Sequence, residues 1–178
     1  MDKRVKRNRA FVKLTGLLLL AGFCSIAHAQ IVVNMNVNDN QDKLTITTPG
    51  SCSNGANPNG CVKANGRQPV NFNLTGSRSC SSGDTWGSSG DTWELDYVAL
   101  GMSEGSTGNL TAKAASDFNA DQSTGVVTPN SQNANHIQMQ NNNTAVYDVW
   151  YTVYAICGDS VIDTDPRVEN DGSGRQQG

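Results

Sequence analysis

Histidine is scarce in this chain, and its scarcity excludes common kinds of catalytic site. The 178 residues include two His. His28 lies in the N-terminal segment and His136 lies in an Asn-rich turn, so a histidine-based catalytic triad is nearly excluded. The sequence also lacks a Gly-rich phosphate loop, a Gly-x-Ser-x-Gly elbow and a His-Glu-x-x-His pattern. We therefore expect no cofactor.

Basic residues are also sparse outside the first 13 positions. Six lie in that opening segment: Lys3, Arg4, Lys6, Arg7, Arg9 and Lys13. Residues 30–178 retain seven of the 13 Lys and Arg and 15 of the 16 Asp and Glu, which gives a net charge of −8. An acidic chain without a basic cluster is a poor partner for nucleic acid or for an anionic membrane surface.

Long apolar runs are missing as well. The one apolar run, Leu17 to Phe23, is too short to cross about 30 Å of hydrocarbon. It follows the basic residues and precedes Ala27-His28-Ala29, a small-x-small pattern that signal peptidase accepts. Residues 1–29 are therefore predicted to be a cleaved export signal. We expect the mature chain, from Gln30, to be periplasmic or extracellular and not membrane-bound.

Four cysteines remain once the predicted signal, with Cys24, is removed. An even number in an oxidising compartment predicts two disulfides, for which three connectivities exist. We expect Cys52 to pair with Cys61, closing a loop rich in Asn, Gly and Pro, and Cys80 to pair with Cys157. A zinc site is the alternative, but the spacings and the scarcity of His argue against it, and we expect no metal.

Polar and apolar residues alternate with a period of two at residues 33–38, 44–47 and 70–74. This pattern is typical of half-buried antiparallel strands. Only residues 110–122 are compatible with a short helix. The sequence therefore predicts an all-β fold, an antiparallel β-sandwich of about seven or eight strands held by disulfides. We expect one domain over residues 30–170 and a disordered tail over residues 171–178.

Two segments carry more specific predictions. Residues 93–100 are apolar on both faces apart from two acids, so this strand is expected to lie centrally in its sheet. Residues 137–139 lead into Asn141-Asn142-Asn143, a turn chemistry that tolerates left-handed backbone, and then into a long strand over residues 145–157. This order predicts a β-hairpin.

A perfect repeat, Ser-Ser-Gly-Asp-Thr-Trp, occupies residues 81–86 and 88–93. One interpretation is a duplication without function, since surface loops tolerate insertions. The other is that Trp86 and Trp93 are exposed rings that stack on a sugar or a protein partner, although Trp93 is expected to enter the core. The loop from Cys80 to Trp93 would then be the contact surface of a non-enzymatic binding module, with carbohydrate as its candidate ligand.

The Asp165–Pro166 bond is the one site where the sequence itself suggests chemistry. The Asp165 carboxyl can attack its own main-chain carbonyl through a five-membered ring, while the competing succinimide route is closed because proline has no N–H. A nearby protonated carboxyl would assist by giving a proton to the proline nitrogen. In an extended segment Asp163 projects from the same face as Asp165, and two like charges so close favour retention of a proton.

Glu169 would join the same face only if the strand continues through Pro166 without a bulge. The alternative interpretation of the whole segment is purely structural, because an Asp-Pro pair commonly just ends a strand.

The order of features near the C-terminus resembles the DP-EP family of small bacterial β-sandwich proteins. The resemblance covers a long aromatic strand (Tyr147–Ile156), a short strand (Ser160–Ile162) and the terminal segment Thr164–Gly172, about 25 residues in all. It implies self-cleavage with Asp165 and Pro166 as the scissile pair, and self-assembly into a homo-oligomer. This chain has no Glu-Pro, since Asn170 follows Glu169. The Asn-rich outward faces leave a third interpretation open, a structural matrix component.

Overall fold

The computed structural model describes residues 29–52, 59–76, 79, 91–164 and 166–171. Strands dominate this part of the chain, with one short helix, α1 (Ala112–Phe118). The strands are β1 (Ile31–Val37), β2 (Leu44–Ile46), β3 (Val62–Ala64), β4 (Val70–Leu74), β5 (Glu94–Gly101), β6 (Ser131–Asn133), β7 (His136–Met139), β8 (Val146–Cys157), β9 (Ser160–Thr164) and β10 (Arg167–Asp171).

The strands form two sheets, which we call sheet A and sheet B. Sheet A has the order β2-β1-β4-β7-β6, and sheet B has the order β3-β10-β8-β5 with β9 also paired to β8. The predicted disulfide-containing β-sandwich is confirmed. The sheets are mixed rather than purely antiparallel, because β1 runs parallel to β4 and β10 parallel to β3. The described residues hold more strands than predicted, since a short strand such as β6 (Ser131–Asn133) contains no apolar residue and so shows no alternation.

The period-two pattern places one face of each sheet in a shared core. In β1, Val33, Met35 and Val37 are buried, and the intervening residues are not. Phe72 of sheet A contacts Tyr151 of sheet B, with ring centroids 5.0 Å apart. Each such side chain contributes about 1.5–3 kcal/mol when it is fully buried. The buried apolar residues of both sheets form one cluster.

The predicted hairpin through residues 141–143 is wrong. β7 pairs with β4 and β6 in sheet A, whereas β8 belongs to sheet B, so the chain crosses between the sheets here. The turn chemistry itself was predicted correctly, since Asn143 has a left-handed φ of 49°. Asn141 and Asn143 are buried in the crossover, and Asn143 Nδ2 donates to the Ala64 carbonyl at 3.0 Å.

The predicted central position of the strand after Trp93 is also wrong, because β5 is the last strand of sheet B. A following loop covers its outer edge. Leu100 N donates to the Gly125 carbonyl at 2.9 Å, and Val127 N donates to the Val98 carbonyl at 2.9 Å. Gly125 has φ +77°, and an added Cβ there would lie 2.0 Å from the Leu100 oxygen. The loop thus closes the edge that β5 would otherwise expose.

The predicted short helix is confirmed as α1, which fastens the crossover to the sandwich. Its N-cap is Thr111, whose side chain accepts from Ala114 N at 3.1 Å. Asp117 is 1% exposed and accepts three hydrogen bonds, from Thr144 N at 2.9 Å, Thr144 Oγ1 at 2.6 Å and Tyr147 Oη at 2.7 Å. The helix therefore holds the beginning of β8 in place.

The disulfide prediction is confirmed for Cys52 and Cys61, which are bonded to each other. Cys157 is also disulfide-bonded. Its predicted partner, Cys80, lies outside the described residues, so that pairing stays a prediction. The predicted export signal and tail lie outside the described residues too, apart from Ala29 and Asp171.

Candidate functional site

The junction between β9 and β10 lies inside one continuous strand register. Both strands pair antiparallel with β8, with Thr164 opposite Val153 and Arg167 opposite Trp150. Two positions separate the paired residues on each strand, so the register passes through the junction without an inserted residue. Asp163 and Glu169 consequently lie on the same face, as the sequence predicted for a strand without a bulge, and Arg167 lies on that face as well. Asp165 itself lies outside the described residues.

Pro166 is buried and takes part in the ladder on one side only. Its carbonyl oxygen accepts a hydrogen bond from Tyr151 N at 2.8 Å. Proline has no N–H to donate in return, so one bond of the antiparallel ladder cannot form here. The residue after the candidate scissile bond is thus held by the sheet, not exposed in a loose turn.

The acids predicted to assist cleavage have different surroundings. Asp163 is exposed. Glu169 is 5% exposed, and its Oε1 lies 2.9 Å from Arg167 Nη2. A carboxylate held by a guanidinium is a poor proton donor. The contacts of Glu169 therefore fit a role in positioning Arg167 better than the predicted role in proton transfer.

Arg167 joins several outward-facing groups of sheet B. Its Nη1 lies 4.0 Å from Asp148 Oδ2, and its guanidinium carbon lies 5.9 Å from the centre of the Trp150 ring. Its Nε donates to Cys61 Sγ at 3.2 Å. The arginine thereby connects β8, β10 and the Cys52–Cys61 disulfide.

A groove of about 590 Å³ opens beside the junction. It lies between β2 of sheet A and the point where β9 leads into β10. The lining includes Lys43, Glu104, Trp150, Thr164, Pro166 and Arg167. The groove brings an acid, two basic side chains and an aromatic ring to the residue that follows Asp165.

Glu104 is a residue of the groove that the sequence did not predict. It follows β5 in a Ser-Glu-Gly turn, far from the Asp-Pro pair along the chain, and nothing in its local pattern distinguishes it from a surface acid. Only the fold brings it to the same groove as Pro166. Arg167 was within reach of sequence reasoning, because it directly follows the proline.

The predicted pair of exposed tryptophans is wrong for Trp93. This residue is 3% exposed, and its Nε1 donates to Gln41 Oε1 at 3.0 Å. Its burial agrees with the expectation that it enters the core, and it cannot stack on a ligand. Trp86 and most of the loop from Cys80 lie outside the described residues. Two half-buried aromatic rings lie in sheet B instead: Tyr97 of β5 and Tyr154 of β8 stack with ring centroids 4.3 Å apart.

Within the described ranges, no three His, Cys, Asp or Glu side chains converge on a point that could hold a metal ion. Among the same residues the one helix is α1, and it is not long and apolar enough to cross a membrane. No protein-family model matches the chain, and no curated protein matches it significantly. Membership of the DP-EP family therefore stays a prediction.

Proposed function

We propose that this protein is an exported β-sandwich that cleaves its own chain once, between Asp165 and Pro166, and associates with other copies of itself. The observation that supports the cleavage best is the position of Pro166. It lies in an unbroken register between β9 and β10 and lines a groove that also contains Glu104. The Cys52–Cys61 disulfide supports export, because such bonds are typical of proteins outside the cytoplasm.

The proposed reaction needs only the chain and water. A side-chain oxygen of Asp165 attacks the main-chain carbonyl carbon of the same residue and forms a cyclic anhydride. The bond from that carbon to the Pro166 nitrogen breaks, and a proton goes to the nitrogen, which leaves as a secondary amine. Water then opens the anhydride, so the products are a C-terminal Asp165 and an N-terminal Pro166.

Two acids are candidates for the proton. Asp163 precedes the pair by two residues and is exposed, while Glu104 lines the same groove as Pro166. The ladder pairs on both sides of the junction limit its motion and favour a repeatable approach of attacking and leaving groups. We assign Asp163 and Glu104 as proton donors to be tested separately.

The test is the intact mass of the oxidised protein, followed over days at mildly acidic and neutral pH. Cleavage is expected to yield a fragment from residue 166 onward, with the two masses together exceeding the parent by one water. Asp165→Ala is expected to remain whole, and Asp163→Asn and Glu104→Gln are expected to slow cleavage. A parent mass as stable as that of Asp165→Ala would rule the reaction out.

An unfolded control separates catalysis by the fold from the intrinsic lability of Asp-Pro bonds. The same protein in concentrated urea should cleave more slowly than the folded protein at the same pH. Equal rates in the two states would mean that the sheet and groove contribute nothing.

A second function, carbohydrate binding, is favoured by the aromatic outer face of sheet B. Trp150 lines the groove, and the Tyr97–Tyr154 stack lies on neighbouring strands. Aromatic rings beside polar side chains are suited to sugar rings. Titration with soluble polysaccharides should change tryptophan fluorescence in the wild type and not in Trp150→Phe, and no response to any polysaccharide would count against this function.

A further inference from the structure

We infer that β10 exchanges between copies, so that residues 167–171 of one molecule occupy the slot between β3 and β8 of another. The inference deepens the proposed assembly and rests on the proposed cleavage for its rate, because a cut after Asp165 would release the strand from its own chain. The partner is thus a second copy of this protein, and the contact is a backbone ladder.

The slot is an internal position of sheet B that is filled by the last described strand of the chain. Val168 lies opposite Val62 in the parallel pairing with β3 and opposite Val149 in the antiparallel pairing with β8. Among the described strands, β3 has no pairing other than β10. Departure of β10 would therefore expose two strand edges at once, and unpaired edges of this kind take up a strand from another molecule.

The side chains of β10 make the slot selective for its own sequence. Val168 is fully buried in the core. Asn170 is 3% exposed and exchanges two hydrogen bonds with Asn141, at 2.9 and 3.3 Å. A strand without an amide at this position would leave the buried Asn141 amide without its partner, which is costly. The strand that fits best is the same segment of another copy.

Pro166 separates the pairing of β10 from that of β9. Because it supplies no N–H, the ladder is interrupted between the two strands, and β10 can detach while β9 remains on β8. While the chain is intact, the tether keeps the strand at a high local concentration near its own slot. Cleavage removes this advantage, and strands of neighbouring copies then compete for the slot. A cut strand changes slots without joining two molecules, whereas exchange between uncut copies links their chains and, when repeated, gives rings or open chains.

Cysteine pairs across the slot test the exchange in the full chain. Copies carrying Val168→Cys are mixed with copies carrying Val149→Cys, oxidised, and analysed by non-reducing gel and intact mass. Exchange predicts a disulfide between the two kinds of copy. A mixture of Val70→Cys and Met139→Cys copies, which face each other between β4 and β7 of sheet A, should remain unlinked.

A single chain with both Val149→Cys and Val168→Cys establishes that the two positions form a disulfide. If this chain closes its internal bond while the mixture forms no link, the inference is overturned. Asp165→Ala separates exchange from cleavage: we expect uncut copies to link about tenfold more slowly because the tether is retained. Cleavage without linking would refute the exchange alone, whereas linking without cleavage would refute the proposed reaction and leave the exchange standing.

Discussion

The two sheets share a core but have very different compositions. None of the five strands of sheet A contains Lys, Arg, Asp or Glu, whereas the strands of sheet B contain both acids and bases. The charged residues of sheet B are Lys63, Glu94, Asp96, Asp148, Asp163, Arg167, Glu169 and Asp171. Every Tyr and Trp found in a described strand also lies in sheet B.

Polar side chains on the outer face of sheet A form hydrogen bonds to one another. Asn73 Nδ2 donates to Asn34 Oδ1 at 3.2 Å, and His136 Nδ1 lies 2.8 Å from Asn73 Oδ1. In a second row, Gln138 Nε2 donates to Asn71 Oδ1 at 2.8 Å. These rows run across the strands, where directly opposed polar side chains stabilise a sheet.

The contrast separates a sheet without charged residues from one that is charged and aromatic. Sheet A presents a neutral polar face, while sheet B gathers acids, aromatic rings, a disulfide and the proline junction around Arg167. Sheet A contributes to the groove only through the neighbourhood of β2. Substitutions at the link between the sheets are expected to have the largest effect, followed by those in sheet B and then those in sheet A.

Asp117→Ala is expected to have the largest effect, because it breaks the attachment of α1 to the crossover that joins the sheets. Three hydrogen-bond donations, two from Thr144 and one from Tyr147, would lose their acceptor. We expect a loss of about 3–4 kcal/mol in the free energy of unfolding, measured by urea denaturation. Asp159→Ala, an exposed acid in the turn before β9, is the matched control and should change stability little.

Removal of the Cys52–Cys61 disulfide should destabilise the protein through sheet B. The cysteines are nine positions apart, and Cys61 is fully buried beside Arg167. The double variant Cys52→Ala/Cys61→Ala is expected to lose about 2.5 kcal/mol, because the unfolded chain regains the entropy of the open loop. The measurement is the urea midpoint at constant slope, and an unchanged midpoint would contradict the prediction.

Alkaline pH is expected to lower the free energy of unfolding, because two tyrosines of sheet B have raised pKa values. Burial raises the pKa of Tyr151 well above 10.0, and its hydroxyl donates to the Gly60 carbonyl at 2.6 Å. Burial, and then the hydrogen bond and charge of Asp117, raise the pKa of Tyr147. Since the unfolded chain loses these protons near pH 10.0 while the folded chain retains them, stability should be intact below that pH and fall above it.

Tyr151→Phe tests this assignment. At neutral pH the variant should lose about 1 kcal/mol with the hydrogen bond to Gly60. Above pH 10.0 its stability should fall less steeply than that of the wild type, as followed by urea denaturation over a pH series. An identical alkaline slope in the two proteins would show that Tyr151 is not responsible.

Asn73→Ala should have the smallest effect, although it removes the middle of an amide row on sheet A. The row is only partly buried, and its members can bond to water instead. We expect a loss of about 0.5–1 kcal/mol. Gln122→Ala, an exposed amide in the loop after α1, serves as the control. A loss as large as that for Asp117→Ala would mean that this amide row stabilises the protein as much as the attachment of α1 to the crossover.

Local pattern predicted the strands well and their arrangement poorly. The alternation in β1 and β4 gave both the element and its buried face, because side-chain direction follows directly from strand geometry. The failed hairpin shows the limit of such reasoning. The left-handed Asn143 is a local property, but whether the chain then turns back or crosses to another sheet depends on contacts such as that of Asn143 with Ala64.

The candidate site was predictable only where its residues adjoin in sequence. The Asp-Pro pair identified the junction, and strand geometry placed Asp163 and Glu169 on one face. The ion pair of Glu169 joins two residues of one strand and follows from the same geometry, whereas the position of Glu104 in the groove depends on how the fold places a turn whose sequence is typical of a surface. No periodicity in a single sequence reports that Glu104 and Pro166 line the same groove.

The topology also sets the order in which the two sheets are completed as the chain grows from its N-terminus. All five strands of sheet A are present once Met139 has been made, whereas sheet B cannot close until β10 follows, some thirty residues later. Val62 is synthesised early, but among the described strands β3 pairs only with β10. Val62 therefore has no paired residue until Val168 has been made. During that interval the apolar face of sheet A packs against a sheet B that still lacks β10. Shielding of the molecule's interior from water therefore depends on the last strand to be synthesised.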